Sequence, residues 1–287
     1  MALLRKCIGK YKVLQCIGTG GEGHVFLGWD EDLHRSAAIK EIDVWKERGK
    51  EEGIVQEAHV LRQLRHPMLP VIYDLLWEDD TWYLVMEYIQ GVTLQEYVEK
   101  NGCVEEKQMS VWIEQLLDIL CYLHTRKPPV IYRDLKPQNV IVCPDGNLRL
   151  IDFGAAYRQN FGECEMRMAA TPGYSAPEQF GRTGQGIRAD ERSDIYALGM
   201  LLYFTVTGAD PAKPPYVSLP VREYQPLLGE WPERIIRRCI REDPAERYQV
   251  IQEIRKDLYK YRKRRFKVLR RSFIRVVEKR EWLTEME

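Results

Sequence analysis

The chain has 287 residues, 45% hydrophobic and 30% charged, with Lys+Arg and Asp+Glu equal at 43 each. That is globular composition with ample length for a core, and the zero balance gives nucleic-acid binding no support. There is no apolar run of about 18 residues to span a membrane, no signal-peptide pattern at the N-terminus, and no C-x-x-C pair among the seven Cys, so a reducing cytoplasm is expected. In chain order, residues 11–18, 24–30, 36–42, 71–78 and 81–89 are short runs of β-branched and aromatic residues that predict strands. Between the third and fourth, Ile54, Glu57, Ala58, Leu61 and Leu64 recur at helical spacing. After Gly91 the pattern turns helical. Thr93 and Glu96 form a capping box, and Met109, Trp112, Ile113, Leu116, Leu120 and Leu123 share one face of a following helix. Pro144-Asp145-Gly146-Asn147 separates two apolar runs and predicts a hairpin. The remainder reads as helical, with Pro/Gly-rich loops near 172–190 and 208–232. The fold class expected is α+β: a small antiparallel β-sheet lobe with one main helix, joined near 87–91 to a larger, mostly helical lobe.

Gly18-Thr19-Gly20-Gly21-Glu22-Gly23 matches G-x-G-x-x-G. Alone this is a weak signal, because a plain β-turn and a dinucleotide fingerprint read the same way, and Asp43 even stands where the latter expects an acid. A dinucleotide fold needs a helix after the glycines, whereas residues 24–29 read as a strand. The loop is therefore expected to join two strands, with glycines that let backbone N–H groups approach phosphates. Further on come Ala38-Ile39-Lys40, then Tyr132-Arg133-Asp134-Leu135-Lys136-Pro137-Gln138-Asn139, Asp152-Phe153-Gly154 and Ala176-Pro177-Glu178. Any one of these arises by chance; the ordered and spaced set does not.

On these motifs the chain resembles the eukaryotic-like (Hanks-type) Ser/Thr protein kinases, bacterial branch. The resemblance covers about residues 11–260, with a small lobe of about 11–88 and a large lobe of about 91–260, between an N-terminal segment 1–10 and a basic tail 261–287. It implies ATP as phosphoryl donor, Mg2+ (Mn2+ as an alternative) as metal, and protein Ser/Thr hydroxyls as acceptors. Asp134 would be the catalytic base, Lys136 would neutralise charge on the phosphoryl group, and Asn139 and Asp152 would ligate the metal. Lys40 would hold the α- and β-phosphates, with Glu57 as its partner, and Thr171 would bond Asp134 and Lys136. Gly18, Gly20 and Gly23 would cover the phosphates. Ile17, Val25, Ala38 and Ile141 would enclose the base, and Glu87 and Ile89 would offer it backbone groups behind Met86. Asp194 would anchor the catalytic loop, Arg247 would pair with Glu178, and Leu61, Ile72, Tyr132 and Phe153 would stack as an apolar spine. Lys136 and Thr171-Pro172-Gly173-Tyr174 resemble the Ser/Thr rather than the tyrosine branch.

Three features depart from the family pattern. Tyr132 stands where His is usual, in a place that asks for packing and a hydrogen bond. Glu22 puts a carboxylate at the glycine-loop tip. Between Gly154 and Ala170 there is no Ser or Thr, so Arg133 would meet Glu163 or Glu165 in place of a phosphate, or both acids are merely solvated. The tail is basic: residues 253–287 carry 13 Lys/Arg against 6 Asp/Glu. Its Phe266, Leu269, Phe273 and Val276 share a helical face that suits peripheral membrane contact, a partner, or docking on its own domain. Many bacterial members continue into a membrane span and a sensor, so the chain is either a soluble member or a piece of a longer protein. The main alternative to an active kinase is a nucleotide-binding pseudokinase or scaffold. Intact Lys40, Glu57, Asp134, Asn139 and Asp152 speak against it, and the Ala-Pro-Glu segment disfavours a small-molecule phosphotransferase.

Overall fold

The computed structural model describes residues 7–20, 23–43, 58, 60–158, 170–181, 189–214, 220–226 and 228–263. Its first half is an antiparallel sheet of six strands: β1 (Cys7–Ile8), β2 (Tyr11–Gly20), β3 (Gly23–Asp30), β4 (Arg35–Asp43), β5 (Ile72–Glu78) and β6 (Thr81–Glu87), ordered β1-β2-β3-β4-β6-β5. Alternation along β4 sorts its two faces. Ala37 and Ile39 enter a core with Tyr11, Tyr83 and Val85, while Ala38 faces a second core of Ala58, Leu84 and Met86. Lys40, two residues beyond Ala38, lies on that second face. The helix predicted between β4 and β5 is described at residues 58 and 60–62; Ile54 and Glu57 lie outside the described residues. Its Ala58 and Leu61 are buried, as is Leu64 just past the described turn.

Beyond the sheet, β7 (Val92–Thr93) leads into α1 (Leu94–Asn101). The predicted capping box is present: Glu96 N donates to Thr93 Oγ1 at 3.1 Å, and Thr93 N to Glu96 Oε2 at 2.8 Å. Gly91 is needed at this crossing, because its φ is +154° and a Cβ would stand 2.4 Å from the Val142 carbonyl oxygen. Next comes α2 (Glu106–His124), whose six predicted core residues are all buried. The predicted hairpin is β9 (Val140–Val142) with β10 (Leu148–Leu150); β8 (Val130–Ile131) pairs with β11 (Tyr157–Arg158). Gly146, at φ +81°, closes the hairpin with its N–H on the Cys143 carbonyl at 2.9 Å.

The rest is helical: α3 (Glu191–Thr207), α4 (Val221–Tyr224), α5 (Glu230–Cys239) and α6, residues 251–263. α3 is buried nearly throughout, and one continuous core joins it to α1, α2, α5 and α6. The loop expected over 208–232 is shorter than its composition suggests. α4 interrupts it, and α5 has already begun at Glu230 because Pro232 sits in the first turn, where no intrahelical N–H is required. The architecture is thus the expected α+β pairing of a small sheet lobe with a larger helical lobe.

Candidate active site

Asp134, Lys136 and Asn139 come from one segment between β8 and β9, and Thr171 is brought to them from outside it. Asp134 Oδ1 accepts from Thr171 Oγ1 at 2.8 Å, and Oδ2 accepts from Asn139 Nδ2 at 2.8 Å. Lys136 Nζ lies 2.7 Å from Asp134 Oδ2 and donates to Thr171 Oγ1 at 3.3 Å. Three donors thus fix one carboxylate that is still partly exposed, which orients it without sealing it from a reactant.

The backbone that carries this cluster is strained. Arg133 has φ +68° and Asp152 φ +63°, each costing a non-glycine residue about 1–3 kcal/mol. Buried Asp194, in the first turn of α3, offsets this at Arg133. Its Oδ1 accepts from Arg133 N at 2.7 Å, its Oδ2 from Tyr132 N at 2.9 Å, and His124 Nε2 lies 2.8 Å from Oδ2. Tyr132 fills its place as an aromatic should: it is fully buried, its hydroxyl donates to the Ile151 carbonyl, and its ring meets Phe153 edge-on at 4.9 Å. Leu61, Tyr132 and Phe153 share the core that Ile72 packs against.

Asp152 faces the sheet lobe. Its Oδ1 accepts from Lys40 Nζ at 2.8 Å and from Gly154 N at 3.2 Å. Burial works against its charge, but the Lys40 ammonium and the Gly154 N–H outweigh this and hold the carboxyl below its usual range. The amide nitrogen of Asn139 is committed to Asp134, to the backbone carbonyl at 3.0 Å as well as to the side chain. Its amide oxygen is therefore turned away from Asp134. Ile151 N donates to Asn139 O at 2.9 Å, tying the segments of Asn139 and Asp152 together. An ionised carboxylate and an amide oxygen suit a hard cation. Among the described residues no group of three or more His, Cys, Asp or Glu is placed to hold a metal by itself.

Above this cluster, register aligns the predicted pocket residues. Val25 pairs with Lys40, and Ala38 with Met86. Gly18 pairs with Val25, next to exposed Ile17, and Gly20 with Gly23, so the glycine motif does join two strands; Gly21 and Glu22 lie outside the described residues. On β9, Val140 and Val142 enter the helical core, which leaves Ile141 on the opposite face. Glu87 N donates to the Val71 carbonyl at 2.8 Å, at the end of β6, where Glu87 pairs with Ala37. Ile89 follows in the non-helical crossing. Glu57, Glu163 and Glu165 lie outside the described residues.

Three supporting side chains escaped the motif reading. Gln179 Nε2 donates to the Arg133 carbonyl at 2.9 Å, His124 meets Asp194, and Arg149 Nη2 bonds Glu87 Oε2 at 2.7 Å. Gln179 stands next to the Ala-Pro-Glu motif, which is its one sequence signal; nothing local marks the other two. Beneath the site, buried Arg247 forks onto Glu178 at 2.7 and 2.9 Å, and Ser193 Oγ adds a bond at 2.7 Å. Burial pushes the Glu178 carboxyl up, but Arg247 and Ser193 more than compensate and hold it below its usual value.

A sequence profile described as protein kinase domain matches residues 11–259. The chain is similar to the serine/threonine-protein kinase PrkC of Bacillus subtilis, at 31% identity over 273 residues, covering 90% of this chain and 41% of that protein. It is also similar to a probable serine/threonine-protein kinase of Clostridium perfringens, at 30% over 281 residues, 91% of this chain and 40% of that protein. The serine/threonine-protein kinase PknD of Chlamydia trachomatis shares 28% over 303 residues, 88% of this chain and 31% of its own length. The chain therefore spans less than half the length of these curated relatives. Among the described residues no helix is long and apolar enough to cross a membrane.

Proposed function

Because the chain belongs to the protein kinase family, we propose that it transfers the γ-phosphoryl group of ATP to serine or threonine hydroxyls of proteins. The observation that carries this is the Asp134 carboxylate, pinned by Thr171, Asn139 and Lys136 yet partly exposed. A substrate hydroxyl donates its proton to Asp134 as its oxygen forms the new bond to phosphorus, and the bond from phosphorus to the β,γ-bridging oxygen breaks, releasing ADP. Lys136, at 2.7 Å from Asp134, offers positive charge to the phosphoryl oxygens as they pass. Thr171 holds Asp134 in orientation.

Asn139 and Asp152 would hold Mg2+, with the nucleotide phosphates as the co-ligand. When bound, the ion neutralises charge on those phosphates. The backbone bond from Ile151 N to the Asn139 carbonyl at 2.9 Å, which keeps the segments of Asn139 and Asp152 together, supports this assignment. Lys40 is aligned by Asp152 and would reach the α- and β-phosphates, with Glu57 as its second carboxylate partner. Gly18, Gly20 and Gly23 would let backbone N–H groups close over the phosphates. Ile17, Val25, Ala38 and Ile141 would sandwich adenine, with Met86 behind it and the Glu87 carbonyl and Ile89 N–H at its edge. The kinase unit would run over 11–260, and the protein substrates, a cytoplasmic location and a docking role for the tail 261–287 belong to the same proposal.

The test is phosphoryl transfer from labelled ATP to casein, with Mg2+ and with excess EDTA. Transfer that needs the metal is the expected result. Transfer unaffected by chelation would overturn the metal assignment, and none at all would overturn the reading.

A further inference from the structure

The end of α5 and the residue pair beyond it carry Arg234, Arg237, Arg238 and Arg241, at offsets of three, four and seven. Within α5 that spacing stacks the guanidinium groups of Arg234, Arg237 and Arg238 on one face, and like charges so placed destabilise a helix; Arg241 follows just past the helix end. Arg237 and Arg238, in the last turn, are favoured by the helix dipole; the other two are not accounted for in this way. All four line an open cavity of about 570 Å3, walled by Tyr248 and Tyr261, whose lining also includes the carboxylates of Glu246 and Asp257, so that four guanidinium groups face two acids. Its counterions are loosely held. Arg238 lies 3.5 Å from Glu253 and 3.9 Å from Asp257, and Arg241 3.8 Å from Glu246, whereas nearby Arg222 holds Glu233 at 2.9 Å. Arg234 and Arg238 rest over the rings of Tyr261 and Tyr248, at 5.4 and 4.1 Å, which orients the groups without neutralising them. Among the described residues Arg237 has no ion pair or side-chain hydrogen bond.

We propose that this cavity binds a phosphorylated segment of a protein, at a site separate from the Asp134 cluster. Oriented guanidinium forks match the oxygens of a phosphate monoester two at a time, and its near-double charge calls for more than one of them. The choice of phosphate over carboxylate rests on the kinase reading, whose product is a phosphoester. The floor of the cavity is tied to the catalytic lobe. Arg247 Nε donates to the Arg241 carbonyl at 2.7 Å and Nη2 to that of Glu242 at 2.9 Å, while the same guanidinium grips Glu178. A phosphoprotein held here stands on the loop that anchors the Ala-Pro-Glu segment, so the kinase would keep hold of proteins already phosphorylated.

The test uses the full chain without ATP, and a fluorescein-labelled Gly/Ala peptide with one phosphothreonine or one threonine, read by fluorescence anisotropy. The phosphopeptide should bind roughly tenfold tighter than its unphosphorylated twin. The double change Arg237→Gln plus Arg241→Gln should remove that preference, and Arg222→Gln should keep it. The basic tail is intact in every variant, so binding through it would not respond. Should the double variant unfold, Arg237→Gln alone serves, because among the described residues Arg237 bonds no other side chain. Equal affinity for the two peptides, or a preference that survives the Arg237 change, would overturn the proposal. Transfer to casein is measured in parallel. Lost transfer with retained phosphopeptide preference sinks the kinase reading and not the site; retained transfer with no preference sinks the site alone.

Discussion

Asp134 accepts from Thr171 on one oxygen and from Asn139 on the other, so Asp134→Asn keeps the shape and removes the base. We expect kcat to fall by about 10²–10⁴-fold, with ATP affinity nearly unchanged because Asp134 meets the acceptor and not the nucleotide; kcat from steady-state kinetics and Kd from nucleotide titration check this. A matching loss of ATP affinity would move Asp134 into the nucleotide site. Asp152→Ala should abolish Mg-dependent turnover, since it removes a metal ligand and also the carboxylate that holds Lys40 at 2.8 Å. Wild-type turnover in that variant would show the metal assignment to be wrong.

At the scale of elements, the continuous core of the helical lobe is cross-linked by a buried ion pair between segments far apart in sequence, Arg247 with Glu178. The side chains of Arg247 and Glu178 are 0% and 1% exposed. Removing one partner of such a pair strands the other, so Arg247→Ala should cost about 3–5 kcal/mol, read as a lower urea midpoint with an unchanged slope. The pH dependence follows from the Glu178 carboxyl, whose pKa is lower folded than unfolded. Its stabilisation is fully present above the unfolded value of about 4.3 and is lost as pH falls through the lower folded value. Acidification from pH 6 through that window should therefore reduce the stability of the wild type more than that of Glu178→Gln; equal losses would contradict the shift. The elements themselves were largely legible. The strand runs alternate, the α2 stripe has helical period, and Thr93 with Glu96 writes the cap of α1 locally. The start of α5 was not, because Pro232 reads as a loop residue until its place in the first turn is known.

Across the whole molecule, the site was legible where chemistry sits in short contiguous motifs, as in residues 132–139 and 152–154. It was not legible where segments far apart meet. Arg149 reaches Glu87 across the junction of the lobes, and Gln179 reaches Arg133 and His124 reaches Asp194 only once the helical lobe is folded. Regulation belongs at this scale as well. With no Ser or Thr between Gly154 and Ala170, activity should survive phosphatase treatment of the purified protein. Glu163→Gln plus Glu165→Gln should lower activity modestly, and more so at low salt, if a carboxylate orders the loop. Loss of activity on dephosphorylation, traced by mass spectrometry to Thr171 or Ser175, would contradict constitutive activity. The most direct measurement is incubation with labelled Mg-ATP and a protein substrate, followed by mapping of every modified residue by mass spectrometry, for the wild type and for Asp134→Asn. Phosphoserine or phosphothreonine formed by the wild type and lost in the variant is the predicted result. Transfer to no protein, the chain itself included, or transfer that survives Asp134→Asn, would contradict it.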